Sequence, residues 1–208
     1  MDLTLLPEYA LYFIALINPP SKVMVLSAIA PETSNRELML VSLRSSLAGV
    51  IMLAILAVAG RLILNRVFHV ELYALQIAGG IVLFLVGLRA LRKGRFFEFR
   101  PGTSLSEASM VPLASPMIAG PATIAAVIHV SVERGLPLAL CAVTLAAGVN
   151  LVAMIFARPI SRALNKVSLM GPLIRISGLI VATIAVQMVL DGGREWYGLL
   201  VPATRPAG

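Results

Sequence analysis

Five consecutive residues, Asn18, Pro19, Pro20, Ser21 and Lys22, interrupt an apolar run from Leu11 to Ala30. The run is about long enough to cross a bilayer. An amide and a hydroxyl can donate and accept hydrogen bonds, whereas an ammonium only donates. The two prolines remove helix donors and free carbonyls a turn earlier. A second set occurs in "VPLASPMIAGPATI" at 111 to 124, which supplies Ser115, Pro116, Ala119, Gly120, Pro121 and Thr123 together with Pro112. "INPP" at 17 to 20 and "AGPA" at 119 to 122 correspond at an offset of 102. Together these residues offer neutral donors and acceptors, one fixed cation and exposed backbone, which suits a small polar ligand with an anionic group.

Each residue also has a plainer reading. Proline kinks in membrane helices often only shape packing. Lys22 could lay its stem along the helix and carry its amine to the interface, or face the interior as a functional charge. Paired interruptions in two related halves favour a site over a kink, because half-helix N-termini direct N–H groups and partial positive charge at a ligand.

The elements that must position these residues are membrane helices. Of 208 residues, 59% are hydrophobic and 13% are charged, against about 25% charged in ordinary soluble domains. Six apolar segments run approximately 9 to 30, 38 to 64, 72 to 90, 109 to 131, 135 to 157 and 168 to 190. Without alternating polarity they are helices and not barrel strands. The expected fold is all-α, a single membrane domain over 1 to 208 with six transmembrane helices. "SAIAP" near Ala28 resembles a signal-peptidase site. An uncleaved span is expected instead, because the start carries Asp2 and Glu8 without a basic residue and prolines break the run.

An internal repeat organises the spans. "QIAGGIV" at 76 to 82 aligns with "RISGLIV" at 175 to 181 at an offset of 99, and the same offset matches "AGV" at 48 to 50 with "AGV" at 147 to 149. Two three-helix halves follow: repeat one at about 8 to 92, a linker at about 93 to 107, repeat two at about 108 to 192, and a C-terminal tail at 193 to 208. An odd number of spans per half makes the repeats inverted, with helices 1 and 4 broken.

The net charge of +7 reflects loop bias, so no nucleic acid partner is expected. Arg36, Arg89, Arg92, Lys93, Arg95, Arg100, Arg158, Arg162 and Lys166 fall on one side of the spans, against Arg61, Arg66, Arg134, Arg194 and Arg205 on the other. The richer side is cytoplasmic by the positive-inside rule, which puts both termini outside. Cys141 reads as a small packing residue. Gly49, Gly79, Gly80, Gly87, Gly148 and Gly178 read as close helix contacts, and Thr144, Asn150, Thr183 and Gln187 mostly as cross-helix bonds. Glu71 and Asp191 sit at expected span ends, leaving no mid-span carboxylate. His69 and His129 show no metal-ligand spacing, and no nucleophile, Walker or zinc pattern occurs. No enzyme, catalytic residue, metal or cofactor is expected.

"IALINPPSKV", "LQIAGGIVLFLVG", "VPLASPMIAGPATI" and "ISGLIVATIAVQMVLDGG" together resemble the MarC family of bacterial inner-membrane proteins over most of the chain. The resemblance implies six spans in inverted repeats, kinship with LysE and TerC exporters, and transport, some relatives carrying small neutral amino acids. Its link to multiple antibiotic resistance is a naming association. The family pattern has a large apolar residue, a glycine, a small or polar residue and a later proline where this chain has Pro20, Ser21, Lys22 and Met24. The lysine would bind a carboxylate directly, replace a coupling cation, or select another anionic substrate. The expected function is alternating-access transport of a small polar solute, such as a small neutral amino acid or other carboxylate, across the bacterial inner membrane. A membrane scaffold and a passive channel are the alternatives. The lipid bilayer and a small-molecule substrate are the expected partners, and a homo-oligomer is compatible with the sequence.

Overall fold

The computed structural model describes residues 3–29, 34–62, 66–67, 69–96 and 118–200. After a short turn at Leu3–Leu5, these residues form α1 (Leu6–Ile17), α2 (Pro19–Ile29), α3 (Asn35–Leu62), α4 (Leu72–Lys93), α5 (Pro121–Glu133), α6 (Leu136–Ile155), α7 (Ala157–Lys166) and α8 (Met170–Leu200).

Local sequence sets most helix ends. Asn18 closes α1 in the left-handed region at φ 57°, and its N–H bonds the Ile14 carbonyl at 2.8 Å. Asparagine tolerates that backbone, and the proline after it disfavours a helical Asn18. At the start of α3, the Ser34 N–H donates to Glu37 and the Glu37 N–H to the Ser34 hydroxyl, a reciprocal cap. Gly94 closes α4 at φ 63° beyond Arg92 and Lys93, which complement the negative helix end. Pro121 opens α5 in the first helical turn, where a missing N–H costs nothing.

Among the described residues, five stretches are long and apolar enough to span a membrane: Leu6–Ser27, Asn35–Gly60, Leu72–Lys93, Leu136–Ile155 and Met170–Leu200. The first joins α1 and α2 across Asn18. The fourth expected span is represented by the shorter α5, its 13 residues covering about 20 Å at 1.5 Å per residue. Residues 109 to 117 of that span lie outside the described residues. The last helix continues to Leu200 rather than ending near 190. Pairing of Asp191 with Gln187 and Arg194 along one face supports that extension, as does Gly192 seated against Tyr73 and Ile77 of α4.

α5 is the packing centre, touching α1, α3, α4 and α6. Its Ala122, Ala125, Ala126, Val127, Ile128 and Val130 are buried, and Ala139, Ala142, Val143 and Ala146 of α6 join the same core. Small side chains let these backbones come close, the usual packing solution where lipid removes the hydrophobic drive between helices. Leu43, Leu47, Ile51, Ile55 and Val58 form an exposed apolar stripe along α3, as expected of a lipid-facing surface.

α4 and α8 pack through glycine. A Cβ on Gly87 would stand 2.8 Å from the Ala182 nitrogen and from the Gly178 carbonyl oxygen, and one on Gly178 would stand 2.8 Å from the Ala90 Cβ. Gly79 and Gly80 are similarly enclosed, and Gly49 meets Ile118. Gly148 departs from expectation: among the described residues nothing lies within 4 Å of its Cβ direction. Cys141 is likewise exposed rather than packed inside. Both lie on the outer face of α6, which apolar neighbours alone did not distinguish from the inner one. Gly87→Leu is expected to destabilise the detergent-solubilised protein by about 1–3 kcal/mol, and Gly148→Leu by less than about 0.5 kcal/mol. Paired thermal melts check this ranking, and equal losses would contradict the α4–α8 contact.

Candidate functional site

Asn18 lies twelve residues into the first span from Leu6, about 18 Å of helix and roughly the middle of a 30 Å hydrocarbon core. A cavity of about 200 Å³ opens there. Asn18, Ser21 and Lys22 line it from the first break, and Gly120, Pro121 and Thr123 from the start of α5. Six residues singled out in sequence, in two groups about 100 positions apart, thus face one space.

The polar members are withdrawn from solvent: Asn18 is 6% exposed, Ser21 1%, Lys22 1% and Thr123 3%. Lys22 does not extend toward the interface. Its ammonium donates to the Ile17 carbonyl at the end of α1, where a cation offsets the partial negative charge of freed carbonyls. The Ser21 hydroxyl and N–H both donate to the Asn18 carbonyl, at 2.7 and 3.1 Å. The Asn18 side chain differs, because its Nδ2 and Oδ1 are buried without a hydrogen-bond partner among the described residues. Burying an amide unsatisfied costs about 1–3 kcal/mol, so a group that supplies both a donor and an acceptor would bind there favourably.

The two helix starts are not equivalent. Pro19 and Pro20 bring no N–H to α2, and that of Ser21 is spent on Asn18, so this end presents side chains instead of backbone donors. In α5 the first helical bond runs from Ile124 to the Gly120 carbonyl at 2.9 Å. The preceding N–H groups of Ala122 and Thr123 have no acceptor a turn earlier and carry the positive end of the helix.

Other expected site residues fall elsewhere. Pro19 and Pro20 turn away from the cavity into a separate depression with Val23, Ile160 and Leu164. At about 100° per residue, positions 18, 21 and 22 share one side of the helix and 19, 20 and 23 the other. Ala119 is buried in the core and is not part of the lining. Ser115 and Pro116 lie outside the described residues.

Sequence reasoning missed the apolar half of the lining, namely Leu16, Ile17, Val82, Leu83, Val86 and Phe96, together with Val181 across the cavity. A signal for two of them exists, since Val82 and Val181 are partners at the offset of 99. The offset of 102 likewise pairs Asn18 with Gly120 and Ser21 with Thr123. Phe96 follows the Gly94 turn and carries no sequence mark beyond its size. Three expected cross-helix polar residues bond within their own helices: Thr183 to Leu179, Gln187 to Asp191, and Asn150 to the Met154 sulfur. Thr144 is on the exposed face of α6. Asp191 lies within α8 and not at its end.

Replacing Asn18 separates its backbone role from its amide. Asn18→Gly keeps the left-handed turn and removes an unpaired polar group, so its melting temperature is expected to match or exceed that of the parent. Asn18→Ala is expected to be less stable than Asn18→Gly by about 1–2 kcal/mol, the cost of a left-handed Cβ. A glycine variant that melted well below the parent would contradict the unpaired amide.

Comparison with known proteins places this chain in a family. Residues 3–197 match the model of the MarC family integral membrane protein. A UPF0056 membrane protein of Pyrococcus horikoshii is 34% identical over 183 residues, covering 88% of this chain and 90% of that protein. YvbG, a UPF0056 membrane protein of Bacillus subtilis, is 28% identical over 197 residues, covering 89% and 92%. The UPF0056 inner membrane protein YhgN of Escherichia coli strain K12 is 26% identical over 194 residues, covering 90% and 95%. No solved structure matches the chain. This chain belongs to the MarC family of integral membrane proteins.

Proposed function

We propose that this protein is a transporter that moves a small polar solute bearing a carboxylate, such as a small neutral amino acid, through the cavity between the two helix breaks. The observation that carries the reading is the buried Asn18 amide, unpartnered on both polar atoms and set in that cavity. The carboxylate is received by the N–H groups of Ala122 and Thr123 at the start of α5 and by the Thr123 hydroxyl, opposite the Lys22 ammonium. Asn18 holds a second polar group of the solute. A volume of about 200 Å³ is below the roughly 300–1,000 Å³ of drug-sized pockets, which limits the solute to a few heavy atoms. No bond is made or broken, so the role is carriage and not catalysis.

The architecture behind this reading is six spans in two inverted three-helix repeats. The first comprises α1 with α2, α3 and α4. The second comprises α5, α6 and α8. Exchanging the halves turns the α1–α6 contact into the α3–α5 contact and maps the α3–α6 and α4–α8 contacts onto themselves, and all four occur. Rocking one half against the other would expose the cavity to each side in turn. By loop charge, both termini face out of the cytoplasm in a bacterial inner membrane.

Uptake into proteoliposomes loaded with unlabelled solute tests the mechanism, using a panel of radiolabelled small amino acids and organic anions. Saturable uptake accelerated by internal solute is expected for at least one carboxylate compound. Thr123→Val is expected to raise its half-saturation concentration by about 2- to 13-fold, the loss of one hydrogen bond at roughly 0.5–1.5 kcal/mol. Non-saturating flux would indicate a channel, and no flux for any compound would favour a scaffold.

A further inference from the structure

Between the spans α6 and α8 lies α7, ten residues long, with its charge on one side. Arg158, Arg162 and Lys166 recur every four residues and share one face. Ala157, Ile160 and Leu164 occupy the opposite face, where Ala157 and Ile160 join a core with Val23 and Leu26 of α2. Its position between two spans and its segregated charge place it along the membrane–water boundary.

Beside the basic face is a cavity of about 380 Å³, distinct from the one at the breaks. Its polar end is made by Arg158, Arg162 and Asn35, with the Arg158 guanidinium donating to the Asn35 Oδ1 at 2.8 Å. Its other wall is apolar, formed by Leu38, Met39 and Phe156. Met39 and Phe156 are exposed, so this wall continues onto the lipid-facing surface. Glu37, the carboxylate in the same turn of α3, is engaged by the Ser34 N–H.

From this arrangement we infer that the cavity binds an anionic phospholipid. Two guanidiniums one helical turn apart match a phosphodiester, and Asn35 can meet a headgroup hydroxyl. The apolar wall takes the first part of an acyl chain. A free anion would use the arginines but would gain nothing from Met39 and Phe156, so the amphipathic lining favours lipid over soluble phosphate. The headgroup would be held by a helix whose other side abuts α2, the segment that carries Lys22. This inference does not depend on the transport reading.

The test is a melting experiment on delipidated full-length protein in detergent, titrated separately with short-chain phosphatidylglycerol, short-chain phosphatidylcholine and inorganic phosphate. Phosphatidylglycerol is expected to raise the melting temperature in a saturable way, and the other two to have no effect at the same concentrations. Arg162→Gln, at an exposed side chain, is expected to leave the lipid-free melt unchanged and weaken the apparent affinity about fivefold, the usual worth of one cation at an anionic lipid surface. Adding Arg158→Gln brings the loss to about thirtyfold, and Arg162→Lys recovers most of the single loss. Should the double variant fail to fold, Arg162→Gln alone decides. Equal shifts from both lipids, a shift from phosphate alone, or an Arg162→Gln titration identical to the parent's would each overturn the inference.

Discussion

Inside a bilayer no water is available to a backbone N–H or carbonyl, so any interruption of a helix must be satisfied by the protein itself. This constraint governs the structure around Asn18. Two prolines stop the first helix at mid-depth and leave carbonyls at the end of α1 without helical donors. The surrounding contacts answer that disruption: the Lys22 ammonium reaches back to Ile17 and the Ser21 hydroxyl to Asn18. A lysine that would be costly in hydrocarbon thus becomes a local counterpart to exposed carbonyl dipoles. The Asn18 amide is the part of the break that remains unsatisfied, and it faces the cavity.

Burial of this break depends on small residues. α5 fits in the centre of the bundle because alanines line its contacts, and its short length brings its N-terminus to the cavity. α4 and α8 close the opposite wall through Gly87 and Gly178, so Val82 and Val181 reach the same space. The neighbouring polar groups have distinct electrostatic roles, since α2 contributes side chains to the cavity and α5 contributes the positive end of a helix.

Much of the site was legible in sequence because polar residues and prolines are conspicuous in an apolar chain. Asn18, Ser21, Lys22, Gly120, Pro121 and Thr123 stood out by type and met in one cavity. Direction was harder to read. Pro19 and Pro20 adjoin Asn18 in the chain yet point the other way, which follows from helical rotation once the start of α2 is fixed. Cys141 and Gly148 look like packing residues because inner and outer faces of a membrane helix are both apolar. Phe96 could not be found from pattern, since its burial depends on how the chain turns after Gly94. The extension of α8 past 190 was not visible because the apolar run ends at Asp191, whereas Gly192 seats the continuing helix against α4.

The central claim is the proposal that the cavity between Asn18 and the start of α5 receives a carboxylate-bearing solute. Its most direct test is the melting temperature of the purified protein against a panel of small amino acids, organic anions and matched uncharged analogues, with each hit repeated in Thr123→Val. A ligand at 100 times its dissociation constant stabilises a folded protein by about 2.7 kcal/mol. A shift confined to carboxylate compounds and weakened in the variant is the predicted result. Shifts from the uncharged analogues alone, or a carboxylate shift unchanged by Thr123→Val, would contradict the account.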